Sequence, residues 1–309
     1  MAEQPSNKKI VRADSKPRAR KGGSDSPANS QVEWRANDEA KRRALVLRII
    51  AGVLWAIAIG LEAFAIFGLL NSENRARIAV GAGWDPGDEG FPQWALIFLI
   101  VLFVVIGIFA IIGSLLWKKA NDLDPASKKN AFRFFVQNQL GVIITLIAFV
   151  PLIVVVLMNK DMDKKQKTIA TAAGAVVLVI AALVGIDFNP PSVEQRTAEA
   201  QWDQQRVIAI TGKDEVYWVE GGEVYHLCAE VSPLQKTSTA DEIVVGTVQD
   251  AVDAGKSRLT KQVEMEINQC GLPQPDEAYL DWEPPANVEE LVVNNDSEQD
   301  EPAPTVPAT

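Results

Sequence analysis

Four long apolar runs, nearly free of charge, lie between residues 44 and 186, and shorter mixed patterns follow. The barest run is 134–157, FFVQNQLGVIITLIAFVPLIVVVL, with no Asp, Glu, Lys, Arg or His. As a helix, its 24 residues reach roughly 36 Å, enough to cross a hydrocarbon core of about 30 Å. Three further runs share this character, so the pattern predicts spans near 44–70, 94–117, 134–158 and 168–186. Trp94 and Trp117 sit at the two ends of the second span, where aromatic belts are expected. Pro151 interrupts the third and should kink it or be accommodated by a neighbour.

Small residues recur at helical spacing and predict close helix contacts in lipid. They are Gly52, Ala56, Gly60 and Ala63 on the first span, and Gly107, Ala110 and Ser114 on the second. On the fourth span they are Ala170/Gly174, Thr171/Ala175 and Ala181/Gly185. Arg48 should snorkel to the nearer interface. Residues 71–92 read as a loop, and the third helix should begin near Ala126, after Pro125.

Beyond the spans, 190–208 reads as a linker helix capped by Ser192. Two aromatic, β-branched runs, VYWV (216–219) and VYHLC (224–228), flank Gly221 and Gly222 and predict a hairpin. IVV (243–245) is a third short strand. Thr247 and Asp250 form a second capping box, opening a helix closed by Gly255. Leu259, Val263 and Ile267 mark a last helix ending at Cys270 and Gly271. The fold class is therefore mainly α: a four-helix integral membrane domain (44–186), then a small soluble α+β module with its linker helix (187–271). Residues 1–43 and 272–309 lack the apolar content to fold and are expected to be disordered. The KKIVR and RARK clusters near the N-terminus are candidate tethers to anionic headgroups, or topology signals alone. Trp282 and the EELVV patch (289–293) are a candidate docking motif in a solvated tail.

Charge sharpens this division. Residues 1–186 carry 23 Lys+Arg and 15 Asp+Glu, whereas 187–309 carry 7 and 25. The acidic second half argues against nucleic acid, whose phosphates need cationic partners. Counting Lys and Arg near the spans places the N-terminus in the cytoplasm, and four crossings return the module there. In that reducing compartment Cys228 and Cys270 should be two buried thiols. A bridge between them, the alternative, requires an oxidising compartment and would make this topology wrong; the module lies outside if one span is not a true crossing.

Few residues carry candidate chemistry. Glu62 is the one charged residue deep in a span, which makes it a candidate functional carboxylate. Trp55, Trp94 and Thr171 are its nearest candidate hydrogen-bond partners. His226, Cys228 and Cys270 make at most a weak three-ligand metal set where structural zinc takes four. Tyr217, Trp218 and Tyr225 are a candidate binding surface. No nucleophile–base pair, phosphate loop or redox CxxC motif is present, so no catalytic residue and no cofactor is assigned.

The segments SLLWKKAN…DPAS…RFFVQNQLG, PLIVVVLMNKDMDKKQK, GIDFNPPSVEQ and KDEVYWVEGGEVYHLC…GTVQDAVDAGKSRLT…QC resemble a family of uncharacterised actinobacterial membrane proteins. The resemblance covers roughly 114–271 and implies the same spans with a VYW…YHLC module, and no activity. The module also resembles small bacterial repeats with a VY…G…YH…C…L pattern, some of which are similar to zinc-binding modules. This chain departs from these in its YH-x-C spacing and its missing closing Cys pair. The expected role is a non-enzymatic accessory or scaffolding subunit contacting lipids and other integral membrane proteins. The alternatives are a small transporter or proton-coupled channel centred on Glu62, and an envelope sensor using the module.

Overall fold

The computed structural model describes residues 8–13, 31–84, 90–236 and 242–280. The chain forms two compact units: Asp38–Pro191, and Met1–Asn37 together with Ser192–Thr309.

In the first unit four helices are long and apolar enough to cross a membrane. Helix α1 (Asp38–Ala63) continues as a π-helical segment, Phe64–Leu69. Helix α2 (Ser72–Gly81) follows, then α3 (Gln93–Leu123), α4 (Ala131–Met158) and α5 (Lys164–Gly185). Large apolar side chains point outward, among them Ile49, Val53, Ile108, Val154 and Val179, which suits lipid as the solvent. The interior is closed by small residues. At Gly174 an added Cβ would lie 2.7 Å from the Phe103 ring, and at Gly185 it would meet the Val142 backbone nitrogen at 3.0 Å. The predicted packing face of α3 is thus buried, as are Ala170/Gly174 and Ala181/Gly185 on α5, while Thr171 and Ala175 are half-buried. The face predicted on α1 is not: Gly52, Ala56 and Gly60 are exposed, and α1 packs inward through Ala51, Trp55, Ala58 and Glu62 instead.

Residues 72–81 are helical rather than a loop, because Asn71 caps the first turn and Arg75 anchors it. The Arg75 guanidinium is buried, pairs with Asp161 at 2.8 Å and donates to the Leu69 carbonyl at 3.3 Å. Its charge lies 4.8 Å from the centre of the Phe91 ring. Helix α4 starts at Ala131, later than the sequence predicts, because Asn130 caps it. Helix α5 starts at Lys164, earlier than predicted, with an Asp163–Gln166 capping box. Pro151 is held within α4. Arg48 finds an ion-pair partner, Asp124, at 2.8 Å.

The second unit contains strands from both ends of the chain. Strand β1 (Lys9–Arg12) lies parallel to β4 (Glu242–Gly246), and β4 pairs antiparallel with β2 (Val216–Trp218). Strands β3 (Val224–Tyr225) and β5 (Arg258–Leu259) form a separate parallel pair. Around them lie α6 (Val193–Thr211), α7 (Ser232–Lys236), α8 (Val248–Asp253) and α9 (Val263–Cys270), followed by a 3-10 turn at Glu277–Tyr279. The core joins Val32, Val207, Ile210, Trp218, Tyr225, Leu259 and Ile267.

Several expectations change here. The tail before α1 is not wholly disordered: Val32 is fully buried, and KIVR (9–12) of the KKIVR cluster forms β1, with Lys9 paired to Glu242 rather than free for lipid. Residues 272–280 are ordered, with Leu272 and Leu280 on the core and Tyr279 stacked on Trp202. The predicted hairpin reduces to one antiparallel bridge, Tyr217 to His226, because β2 and β3 take other partners. Leu259 belongs to β5, not to the last helix. The Thr247–Asp250 capping box forms as expected. RARK, Trp282 and the EELVV patch lie outside the described residues.

Candidate functional site

In the membrane unit the candidate is Glu62. It is 5% exposed on the inward face of α1, just before the helix widens into its π segment. Its Oε1 is buried with no hydrogen-bond partner, and its carboxyl lies against the Leu152 amide beside Pro151. Trp55, one expected partner, donates to the Ala110 carbonyl instead, at 3.4 Å. Trp94 packs on Trp84, with ring centres 4.9 Å apart. The Thr171 hydroxyl is buried and also has no partner. π-helical turns concentrate at functional sites, and a buried carboxyl beside a proline-modified helix is a costly feature to retain in lipid.

In the second unit the three weak metal candidates are engaged elsewhere. Cys228 and Cys270 form a disulfide, with Cα atoms 6.1 Å apart, so the expectation of two thiols is corrected. His226 Nδ1 lies 2.6 Å from Glu266 Oε1, and Glu266 Oε2 accepts the Leu227 N–H at 3.0 Å. Both side chains are buried, and the bridge lies two residues from His226 along the chain. Among the described residues no group of three or more His, Cys, Asp or Glu is placed to hold a metal ion.

Nor do the three aromatic residues form a binding surface. Trp218 is 3% exposed and Tyr225 fully buried, so both serve the core, and only Tyr217 reaches solvent. Tyr225 Oη donates to Asp203 Oδ2 at 2.7 Å, and the same oxygen accepts the Leu259 N–H at 2.6 Å. Arg206 pairs with Asp203 at 3.4 Å and donates through Nε to the Tyr279 carbonyl at 2.9 Å. This network ties α6 to β3, β5 and the final turn. Burial pushes the Asp203 carboxyl up, against the bonds that favour its charge, and pushes the Tyr225 phenol well above its ordinary value. Comparison with known proteins finds no matching family model, curated protein or solved structure.

Sequence reading missed Asp203, Arg206, Glu266, Arg75 and Lys256. The spacing of Asp203 and Arg206 was a usable signal, since it sets both on the face that carries Val207 and Ile210. Lys256 gave none. Its buried ammonium donates to the carbonyls of Val219, Glu220 and Gly222 at 2.7–2.9 Å, closing the glycine turn, and burial lowers its pKa.

One titration follows from these contacts. Tyr217 is pushed up to about 12 by burial and by its bond to Glu215, 2.8 Å long. Its contribution to stability is full below the ordinary phenol value of about 10 and is lost as pH rises through about 12. Phenolate absorbance should therefore contain a component near pH 12 that Tyr217→Phe removes. A Tyr217 component near pH 10 would contradict the bond.

Proposed function

We propose that this chain is a non-enzymatic membrane protein acting as an accessory or scaffolding subunit of a membrane assembly. The observation that carries this reading is the outward small-residue face of α1. Gly52 and Gly60 have no heavy atom within 4 Å of where a Cβ would stand, whereas the small residues of α3 and α5 are used internally. In lipid, helices associate where small residues let their backbones approach. The partner is a helix of another integral membrane protein. In mild detergent the chain should elute as part of a larger assembly, and Gly60→Leu should release it without loss of fold. Elution of the wild type alone, unchanged by Gly60→Leu, would remove the reading.

We assign the second unit to the oxidising side of the membrane. Residues from before the first span and after the last fold into that one unit, which supports an even number of crossings. The disulfide supports an oxidising compartment. Charge opposes this less than the raw count suggests, since folded domains translocate largely regardless of charge. The connection 118–133 carries five Lys+Arg, and the two on the other side carry six. Lys41, Arg42 and Arg43, which open α1, are the charges that argue the other way.

Glu62 favours a second reading, proton-coupled transport, because its buried oxygen is left free beside a π-helical segment. Proton flux into liposomes that Glu62→Gln abolishes would support it; equal flux in both proteins would not.

A further inference from the structure

The three helices that meet around Arg48 change character at one level. In α1 the charged opening ends at Arg43, and Arg48 is the last cation before the helix runs on through apolar residues. In α3 the apolar run ends at Trp117, before Lys118 and Lys119. In α4 it begins just after Arg133. At this level a groove of about 390 Å³ opens between them, lined by Arg48, Trp117, Phe132, Arg133, Val136 and Leu140. Its chemistry is divided: two guanidinium groups, and a wall made by Val136 and Leu140, one helical turn apart.

The cations are not fully used. Arg48 pairs with Asp124 at 2.8 Å and donates to the Asp124 carbonyl, also at 2.8 Å, and its charge sits 5.8 Å from the Trp117 ring centre. Its Nε is buried with no acceptor. Arg133 is exposed, with no side-chain ion pair among the described residues. One carboxylate against two guanidiniums leaves the groove with net positive charge where the apolar runs of α3 and α4 end.

We propose that this groove binds one anionic glycerophospholipid. Its phosphate would accept hydrogen bonds from the exposed Arg133 fork, which suits a phosphate better than a point charge does, while Arg48, held by Asp124 and Asn121, adds positive charge beside it. One acyl chain would lie along Val136 and Leu140. Basic pockets between membrane helices hold anionic headgroups on the cytoplasmic side of membranes, and the same chemistry serves a leaflet on the oxidising side that carries anionic lipid. The apolar wall favours a lipid over free phosphate, which would leave that wall uncovered.

The test is native mass spectrometry of the full chain, delipidated in detergent and offered phosphatidylglycerol and phosphatidylcholine at equal concentration. One phosphatidylglycerol should be retained in roughly tenfold or greater preference: both lipids offer the same phosphate, but phosphatidylcholine adds a cation that a groove of net positive charge repels at short range. Arg133→Gln should erase the preference, and Val136→Trp should exclude the lipid by filling the groove. Arg133 makes no ion pair and Val136 is half-buried, so neither change threatens the fold, and unchanged thermal unfolding confirms that for each protein. Equal retention of the two lipids by the wild type would overturn the proposal. So would a wild-type ratio in either folded variant.

Discussion

Reducing the Cys228–Cys270 bridge lowers the stability of the second unit by about 4 kcal/mol. The bridge spans 42 residues of sequence, and closing a loop of that length removes about this much free energy from the unfolded chain. A domain of this size has roughly 5–15 kcal/mol in all, so the loss is a large share. The core shows why the effect should be concentrated here. The strands are two to five residues long, and α9 has eight residues, so local structure alone holds the segment poorly. Pulse proteolysis of the full chain in urea, with and without reductant, reads the change. Fragments from the second unit should appear at much lower urea after reduction, and Cys228→Ser should reproduce the shift. Coincident curves would mean that the bridge contributes little.

Arg206→Met should cost a similar amount, roughly 3–5 kcal/mol. Arg206 is 1% exposed and Asp203 is 7% exposed, so the substitution leaves a buried carboxylate without its cation. It also frees the Tyr279 carbonyl and loosens the turn that packs against Trp202. Methionine keeps much of the volume, which separates the electrostatic loss from a cavity. The same urea assay applies, and a cost below about 1 kcal/mol would show that Asp203 is satisfied by Tyr225 and Leu259 alone.

The membrane helices were legible because a charge-free run of more than twenty residues has few other readings. Their ends were less so. Asn130 and Asp163 decide where α4 and α5 begin, and a capping side chain is a weak signal beside a run of apolar residues. The inward face of α1 was misread for a related reason. Small-residue spacing shows where a helix can be approached, not which neighbour approaches it, and here Trp55 and Glu62 took the inside. Strand β1 was invisible, since four residues of a basic tail acquire meaning only when β4, more than 200 residues later, lies beside them. Trp218 and Tyr225 could be read as strand residues but not as core residues. Their burial depends on α6 and α9 closing over them.

The side of the membrane that holds the bridged unit fixes the topology of the whole chain. Intact cells treated with a membrane-impermeant maleimide should give no labelling at Cys228 or Cys270. Labelling should appear once a membrane-impermeant reductant is added first. Free thiols that label only after the cells are permeabilised, with no reductant present, would put the unit in a reducing compartment and contradict the account.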